Sequence, residues 1–244
     1  MNTLTKITVF ITLLIITLFT TTSCFVDGLT GVKGNRNVIS EDRNISSDFD
    51  RIKVQQGINL YLSQGKSTEI YVEADENIMD LLITEVKNNE LKVYFDKNVY
   101  KAKARNVFLT TKNISEISTS SGASVKTENT IQATNLILDS SSGSSIKAIV
   151  EADEVESSTS SGANMDIFGE TEMLSAKASS GSSIDADELK AKDVYARVSS
   201  GANIDVNVSG KLTAKASSGG DIDYEGNPIE VNKDTSSGGS VSGN

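Results

Sequence analysis

A chain of 244 residues with a formal charge of −10, no Trp, no His, one Pro and one Cys has room for one substantial domain or a modest array. The acidic balance excludes a general nucleic-acid role, because phosphate binding needs a basic footprint. A lone cysteine excludes an intrachain disulfide, and the scarcity of large aromatics points to a thin stack of Val, Ile, Leu and Ala rather than one thick core.

The first 23 residues form an address. Lys6 supplies a positive start, and Ile7 to Phe19 is an apolar run of signal-peptide length, short for a membrane span. Thr21-Thr22-Ser23-Cys24 follows. A small residue before a cysteine, just after an apolar run, resembles a bacterial lipoprotein cleavage site, although Thr21 stands where Leu is commonest. The resemblance implies that Cys24 becomes a lipidated first residue, held on a membrane by ~0.8 kcal/mol per buried methylene. Residues 24–44 then read as a tether, and the domain as 45–244, with ordered structure beginning near Asp48.

From Ile52 to Leu62, apolar residues alternate with polar ones at a period of two, interrupted at Gly57, which predicts two strands around a bulge or tight turn. Ile70 and Val72 mark another strand. In 75–86 the spacing of Ile78, Leu81, Leu82 and Glu85 predicts one short helix of two to three turns, with Asp75 as its cap. Lys87-Asn88-Asn89 turns the chain. Strands are predicted over Glu90 to Phe95 and Arg105 to Thr110.

From residue 115 onward one phrase returns: Ser-Ser-Gly, a small residue, a polar residue, an apolar residue. Its glycines are Gly122, Gly143, Gly162, Gly181, Gly201, Gly219 and Gly238. A period near 20 residues is the mark of a solenoid. Three residues after each glycine stand Val125, Ile146, Met165, Ile184, Ile204, Ile222 and Val241. Seven before it stand Leu136, Val155, Leu174, Val194, Leu212 and Val231, with Ser115 the exception in the first unit. Each unit is therefore two short strands with inward apolar positions, joined at a Ser-Ser-Gly corner and closed by a variable loop. Stacked coils would place equal positions on top of one another at ~4.8 Å, with serine hydroxyls bonding along the corner column. A β-sandwich of seven hairpins is the alternative, and it predicts less regular spacing.

The segment Phe49-Asp50-Arg51-Ile52-Lys53-Val54-Gln55-Gln56-Gly57-Ile58-Asn59-Leu60 resembles the opening of the head GIN domain family, and the name letters match Gly57-Ile58-Asn59. Val72-Glu73-Ala74-Asp75-Glu76-Asn77, Leu91-Lys92-Val93 and the serine–glycine repeats extend the resemblance from about residue 45 to the C-terminus. It implies an all-β fold, a right-handed parallel β-helix with a short helix in its N-terminal part. It also implies an adhesin of the bacterial envelope, and carries no functional residues with it.

The outward columns are where function could show. Two residues after the glycine stand Ser124, Ser145, Asn164, Ser183, Asn203, Asp221 and Ser240; two further on stand Lys126, Lys147, Asp166, Asp185, Asp205 and Asp223. Lys177, Arg197 and Lys215 lie four residues before their glycines. The plain reading is a solvated face with diagonal charge pairs. The sharper one is a ligand-facing ladder of Asn164, Asp166, Asp185, Asn203, Asp205, Asp221 and Asp223, with oxygen atoms suited to sugar hydroxyls or Ca²⁺. The dense calcium-binding nonapeptide is absent, so neither metal nor cofactor is assigned.

The charges recur evenly instead of gathering at one coil. With no His for acid–base work and no phosphate-cradling glycine loop, the chain reads as a non-catalytic, membrane-anchored envelope protein, most simply of the outer membrane. Its expected partners are the membrane, through the lipid, and a cell-surface polysaccharide or protein. The alternative is a structural β-helix that self-associates through open strand edges, since no capping helix follows the last repeat.

Overall fold

The computed structural model describes residues 31–45 and 48–243. The leader, Cys24 and the first part of the tether lie outside them. The strands are β1 (Val32–Lys33), β2 (Val38–Arg43), β3 (Arg51–Val54), β4 (Asn59–Gln64), β5 (Glu69–Asp75), β6 (Leu82–Lys87), β7 (Glu90–Phe95), β8 (Val99–Tyr100), β9 (Arg105–Thr111) and β10 (Glu116–Thr119). They continue with β11 (Ser124–Thr127), β12 (Ile131–Ser141), β13 (Ser145–Ser160), β14 (Asn164–Ala178), β15 (Ser183–Val198), β16 (Asn203–Val208), β17 (Lys211–Ala216), β18 (Asp221–Glu225), β19 (Glu230–Thr235) and β20 (Ser240–Gly243). From β10 onward the chain is a parallel β-solenoid with coils of about 19 residues.

Register follows the glycine phase. Val125, Ile146, Met165, Ile184, Ile204, Ile222 and Val241 pair in one line. Leu136, Val155, Leu174, Val194, Leu212 and Val231 pair in a second. Apart from Val231 and Val241 at the last coil, both lines are buried. A one-residue slip would turn every one of these side chains to water, at about 1.5–3 kcal/mol for each large one. That is why the columns hold the register.

The corners are tight turns of one type. In each Ser-Ser-Gly the second serine and the glycine both have positive φ, for example Ser161 at 54° and Gly162 at 70°. At six of the seven corners the residue after the glycine donates its N–H back to the first serine, as in Ala163 N to Ser160 O at 3.2 Å, and at the Ser179 corner the Ser182 hydroxyl donates to Ser179 O at 2.8 Å. This is the pattern of a type I′ turn, here joining strands that pair with neighbouring coils and not with each other. A Cβ on any of the seven repeat glycines would meet nothing within 4 Å. The glycine is required by its backbone angle and not by crowding. Gln56 (φ 58°) and Gly57 (φ 68°) form the same corner in the first coil, so the interruption at Gly57 is the earliest of the series. Corners stack through the backbone: Gly57, Gly122, Gly143 and Gly162 donate N–H groups to Ser121, Ser142, Ser161 and Ser180, at 3.0–3.2 Å. Hydroxyls bond from coil to coil beside the corner as well: Thr119, Ser140 and Ser144 interlock at 2.9–3.0 Å, Thr159 meets Ser182 at 2.9 Å, and Ser145 donates to its register partner Ser124 at 3.1 Å.

The N-terminal part departs from chain order and from two expectations. β7 and β9 stack outside β3 and β4, which are flanked on the other side by β10 and β11. Three antiparallel strands finish this end: β6 on β7, β5 on β9, and β2 on β5. Residues 31–43, expected as tether, thus already contain two strands, and β2 forms the outer edge with Glu41 and Arg43 paired at 3.2 Å. Charges on an edge strand discourage further pairing. The expected helix is a 3-10 turn, Glu76–Leu81, after which 82–87 is strand. The Asn88–Asn89 corner (φ 52° and 64°) closes a β6–β7 hairpin, and that pairing overrides the helical spacing. Asp75 precedes the turn without capping it; its carboxylate serves other backbone groups.

The C-terminal end has a different device. In the inward line Ala176, Ala196, Ala214 the next position is Lys233. Its ammonium lies 4.8 Å from the Tyr224 ring centroid and donates to Val241 O at 3.1 Å. An inward charge in the last coil blunts an edge without a helix. Replacing Lys233 with Val is expected to leave the fold intact and to produce concentration-dependent association in light scattering, under conditions where the unmodified protein is monomeric. Equal masses for both proteins would refute the role of Lys233.

Candidate functional site

All seven ladder residues fall on one strip of the strand that follows each corner. Asn164, Ser183, Asn203 and Asp221 form its first outward line. The second line runs through Phe108, Tyr61, Lys126, Lys147, Asp166, Asp185, Asp205 and Asp223. It passes from an aromatic stack, with Tyr61 and Phe108 at 4.9 Å, through two cations to four carboxylates. At the junction Lys147 meets Asp166 at 3.9 Å and lies 4.8 Å from the Phe168 ring centroid.

The carboxylates disturb one another. Partial burial, then the neighbouring Asp187 and Asp205, push the Asp185 carboxyl above its ordinary range. Partial burial followed by Asp223, Asp187 and Glu225 does the same to Asp205. A raised carboxylate costs stability at neutral pH, and the cost disappears as pH falls through the raised value. Asp205→Asn is therefore expected to stabilise the protein by about 0.5 kcal/mol at pH 7, with the gain gone below about pH 4. Thermal melts at the two pH values check this; an equal gain at both would mean that charge is not the cause. Along the strip the carboxylates follow one another at ~4.8 Å instead of converging on a point, and among the described residues no group of three or more His, Cys, Asp or Glu is placed to hold a metal ion. Lys177, Arg197 and Lys215 line up on the strand before the corner, where Lys215 reaches Asp234 at 3.9 Å.

A second surface lies on the segment read as a variable loop. That segment is strand, bent once in each coil. Pairing skips one residue per coil, at Thr134, Asp153, Glu172 and Lys192. Beside each skipped residue is a small, mostly buried one: Ala133, Ala152, Thr171 or Ala191. Small side chains let the backbone fold inward there. The outward side chains on either side diverge, leaving a groove of about 950 Å³. One wall carries Gln132, Glu151, Glu170 and Lys190 in register. The other carries the skipped residues. Lys190 pairs with Glu170 at 3.3 Å and Lys192 with Glu172 at 2.9 Å. The Thr171 hydroxyl shares its proton between two carbonyls, Asp153 O at the bend of the neighbouring coil at 3.3 Å and Met173 O just past its own bend at 3.1 Å. Glycine-aligned columns miss this groove because its residue types do not repeat. The one visible signal is the small residue recurring between polar ones.

The family model for "putative auto-transporter adhesin, head GIN domain" matches residues 48–228. Among solved structures, a "putative adhesin" from Bacteroides fragilis is similar with a TM-score of 0.81 at 20% identity, covering 88% of this chain and 100% of that one. A "putative adhesin" from Parabacteroides merdae gives 0.71 at 19% identity, over 87% and 98% of the two chains. A "putative lipid binding protein" from Parabacteroides distasonis gives 0.69 at 20%, over 87% and 99%. At these identities the likeness is one of fold. No curated protein matches the chain. With the family model spanning the first corner at Gly57-Ile58-Asn59 and six of the seven Ser-Ser-Gly corners, the chain belongs to the head GIN domain family.

Proposed function

We propose that this protein is a non-catalytic module of the bacterial cell envelope, anchored through a lipid on Cys24 and presenting its outer faces to a polymer or a neighbouring cell. The observation that carries this reading is the continuity of the outward columns. Aromatic, cationic and carboxylate positions follow one another at ~4.8 Å along a rigid stack, a layout suited to long, repetitive partners. The family's description as adhesins supports the same reading. In it the Asn164 to Asp223 strip is a ligand-facing ladder. Self-association through strand edges is the competing reading, and the inward Lys233 weighs against it.

Two measurements test the proposal. Cys24→Ser is expected to block labelling by radioactive palmitate and to move the protein from the membrane to the soluble fraction. Deleting the gene is expected to reduce attachment of cells to glycan- or protein-coated surfaces, with recovery on complementation. Unchanged fractionation would overturn the anchor. Unchanged attachment, together with no binding by the purified protein, would overturn the adhesive role.

A further inference from the structure

We propose that the inward-bent groove is a binding site for a linear, uncharged glycan lying along the solenoid axis, across the coils. The inference rests on the reading of the protein as a binding module and names its site and ligand class. The groove crosses the strands from the coil of Gln132 to that of Asn207, a length of ~19 Å at strand spacing, enough for a short oligosaccharide. Its shape comes from four consecutive bends, each held by pairing on both sides, so it exists before any ligand arrives.

The chemistry of the walls selects the occupant. Carboxylates at Glu151, Asp153, Glu170 and Glu172 are exposed acceptors, able to take hydroxyl donors and placed to repel an anionic polymer. The two lysines, Lys190 and Lys192, already face carboxylates, which leaves no free basic patch for phosphate or sulfate. On both sides of the bend the main chain is engaged in strand pairing, so an extended peptide would find few backbone partners of the kind strand addition needs. The shoulders are apolar. Ile149 and Phe168 pair beside one wall, Ile149 being 39% exposed, and Met173 beside the other is 48% exposed. Such ledges suit the C–H faces of sugar rings, while the walls take their hydroxyls.

The test uses the whole mature chain on an array of neutral linear oligosaccharides, acidic glycans and cationic peptides, followed by calorimetry with the best hit. Neutral glycans are expected to bind. Glu151→Ala combined with Asp153→Ala, both exposed and away from the core, is expected to weaken that binding about tenfold or more without changing the thermal melt. The control variant Lys177→Ala, exposed on the strand before the corner and outside both the groove and the ladder, is expected to change it less than about twofold. Equal affinity in the groove variant would overturn the site and leave the binding module standing. Binding confined to cationic peptides or acidic glycans would overturn the ligand class. An empty array overturns this inference, and the adhesive reading falls with it only if gene deletion also leaves attachment unchanged.

Discussion

Replacing Asp75 by alanine is expected to cost about 3–5 kcal/mol and to lower the melting temperature by roughly 10 °C or more. The side chain is fully buried. It accepts three backbone N–H groups, from Arg36 at 2.7 Å, Lys103 at 2.9 Å and Ala104 at 3.0 Å. Alanine would leave all three without this partner, the Ala104 N–H in a buried place and the Arg36 and Lys103 N–H groups in part-buried ones. Those donors come from the β1–β2 turn and the β8–β9 loop, so the loss would loosen the whole N-terminal end. Burial by itself would raise the carboxyl's pKa. The donors from Ala104, Arg36 and Lys103, with the Arg36 charge, outweigh it and hold the group below its ordinary value. A depressed carboxylate contributes stability above the unfolded value near 3.9, and that contribution is lost as pH falls through the lower folded value. Asp75→Asn keeps the shape and changes the charge. It is expected to be milder than alanine and to flatten the loss of stability in acid. Thermal melts from pH 7 to pH 2.5 check both expectations, and an Asp75→Ala protein as stable as the parent would refute the account.

Gly169→Ala is expected to cost about 3 kcal/mol, or roughly 6–12 °C in melting temperature, whereas Gly143→Ala should cost only about 1 kcal/mol. Both glycines have positive φ, 114° and 68°. At Gly143 an added Cβ meets nothing within 4 Å, so the penalty is that of the left-handed angle alone. At Gly169 the Cβ would run into the Val150 carbonyl oxygen of the neighbouring coil, and φ is far from any minimum open to alanine. Gly169 also stands where the register between β14 and β15 shifts, one residue before Glu170 in the groove wall. The alanine variant is therefore expected to lose ligand affinity as well as stability. Equal melting temperatures for the two variants would show that the neighbouring carbonyl yields.

What could be read from the amino-acid order was whatever the stacking repeats. Ile184 and Ile204 sit one coil apart, see the same neighbours, and so carry the same residue; the glycine phase then locates both inward columns, the corners and the seven-residue ladder. The groove obeys a different rule. Its walls face solvent, where Gln132, Glu151, Glu170 and Lys190 are equally compatible with the fold, so stacking imposes no identity. Changes in coil length also fall beside it, as in the shift between Asp166 and Gly169. In the N-terminal part no repeat exists to read. Leu81, Leu82 and Glu85 keep helical spacing, but a hairpin partner arriving through Asn88–Asn89 supplies strand pairing that local spacing cannot reveal. The placement of β7 outside β3 depends on contacts 39 residues apart, Arg51 with Glu90.

That displaced coil gives the solenoid a direction in time. During synthesis β3 and β4 emerge before either of their neighbours, and both must wait. The outer neighbour is complete only when β9 has been made, and the inner one begins at Glu116. Closing these long connections is the slow, entropically expensive part of folding. Once β10 and β11 have docked, every later coil finds its template about 19 residues back and can zip on without a search. Folding is thus expected to nucleate at the N-terminal end and run toward the C-terminus, with its rate set by the time the first Ser-Ser-Gly corner has formed between β10 and β11.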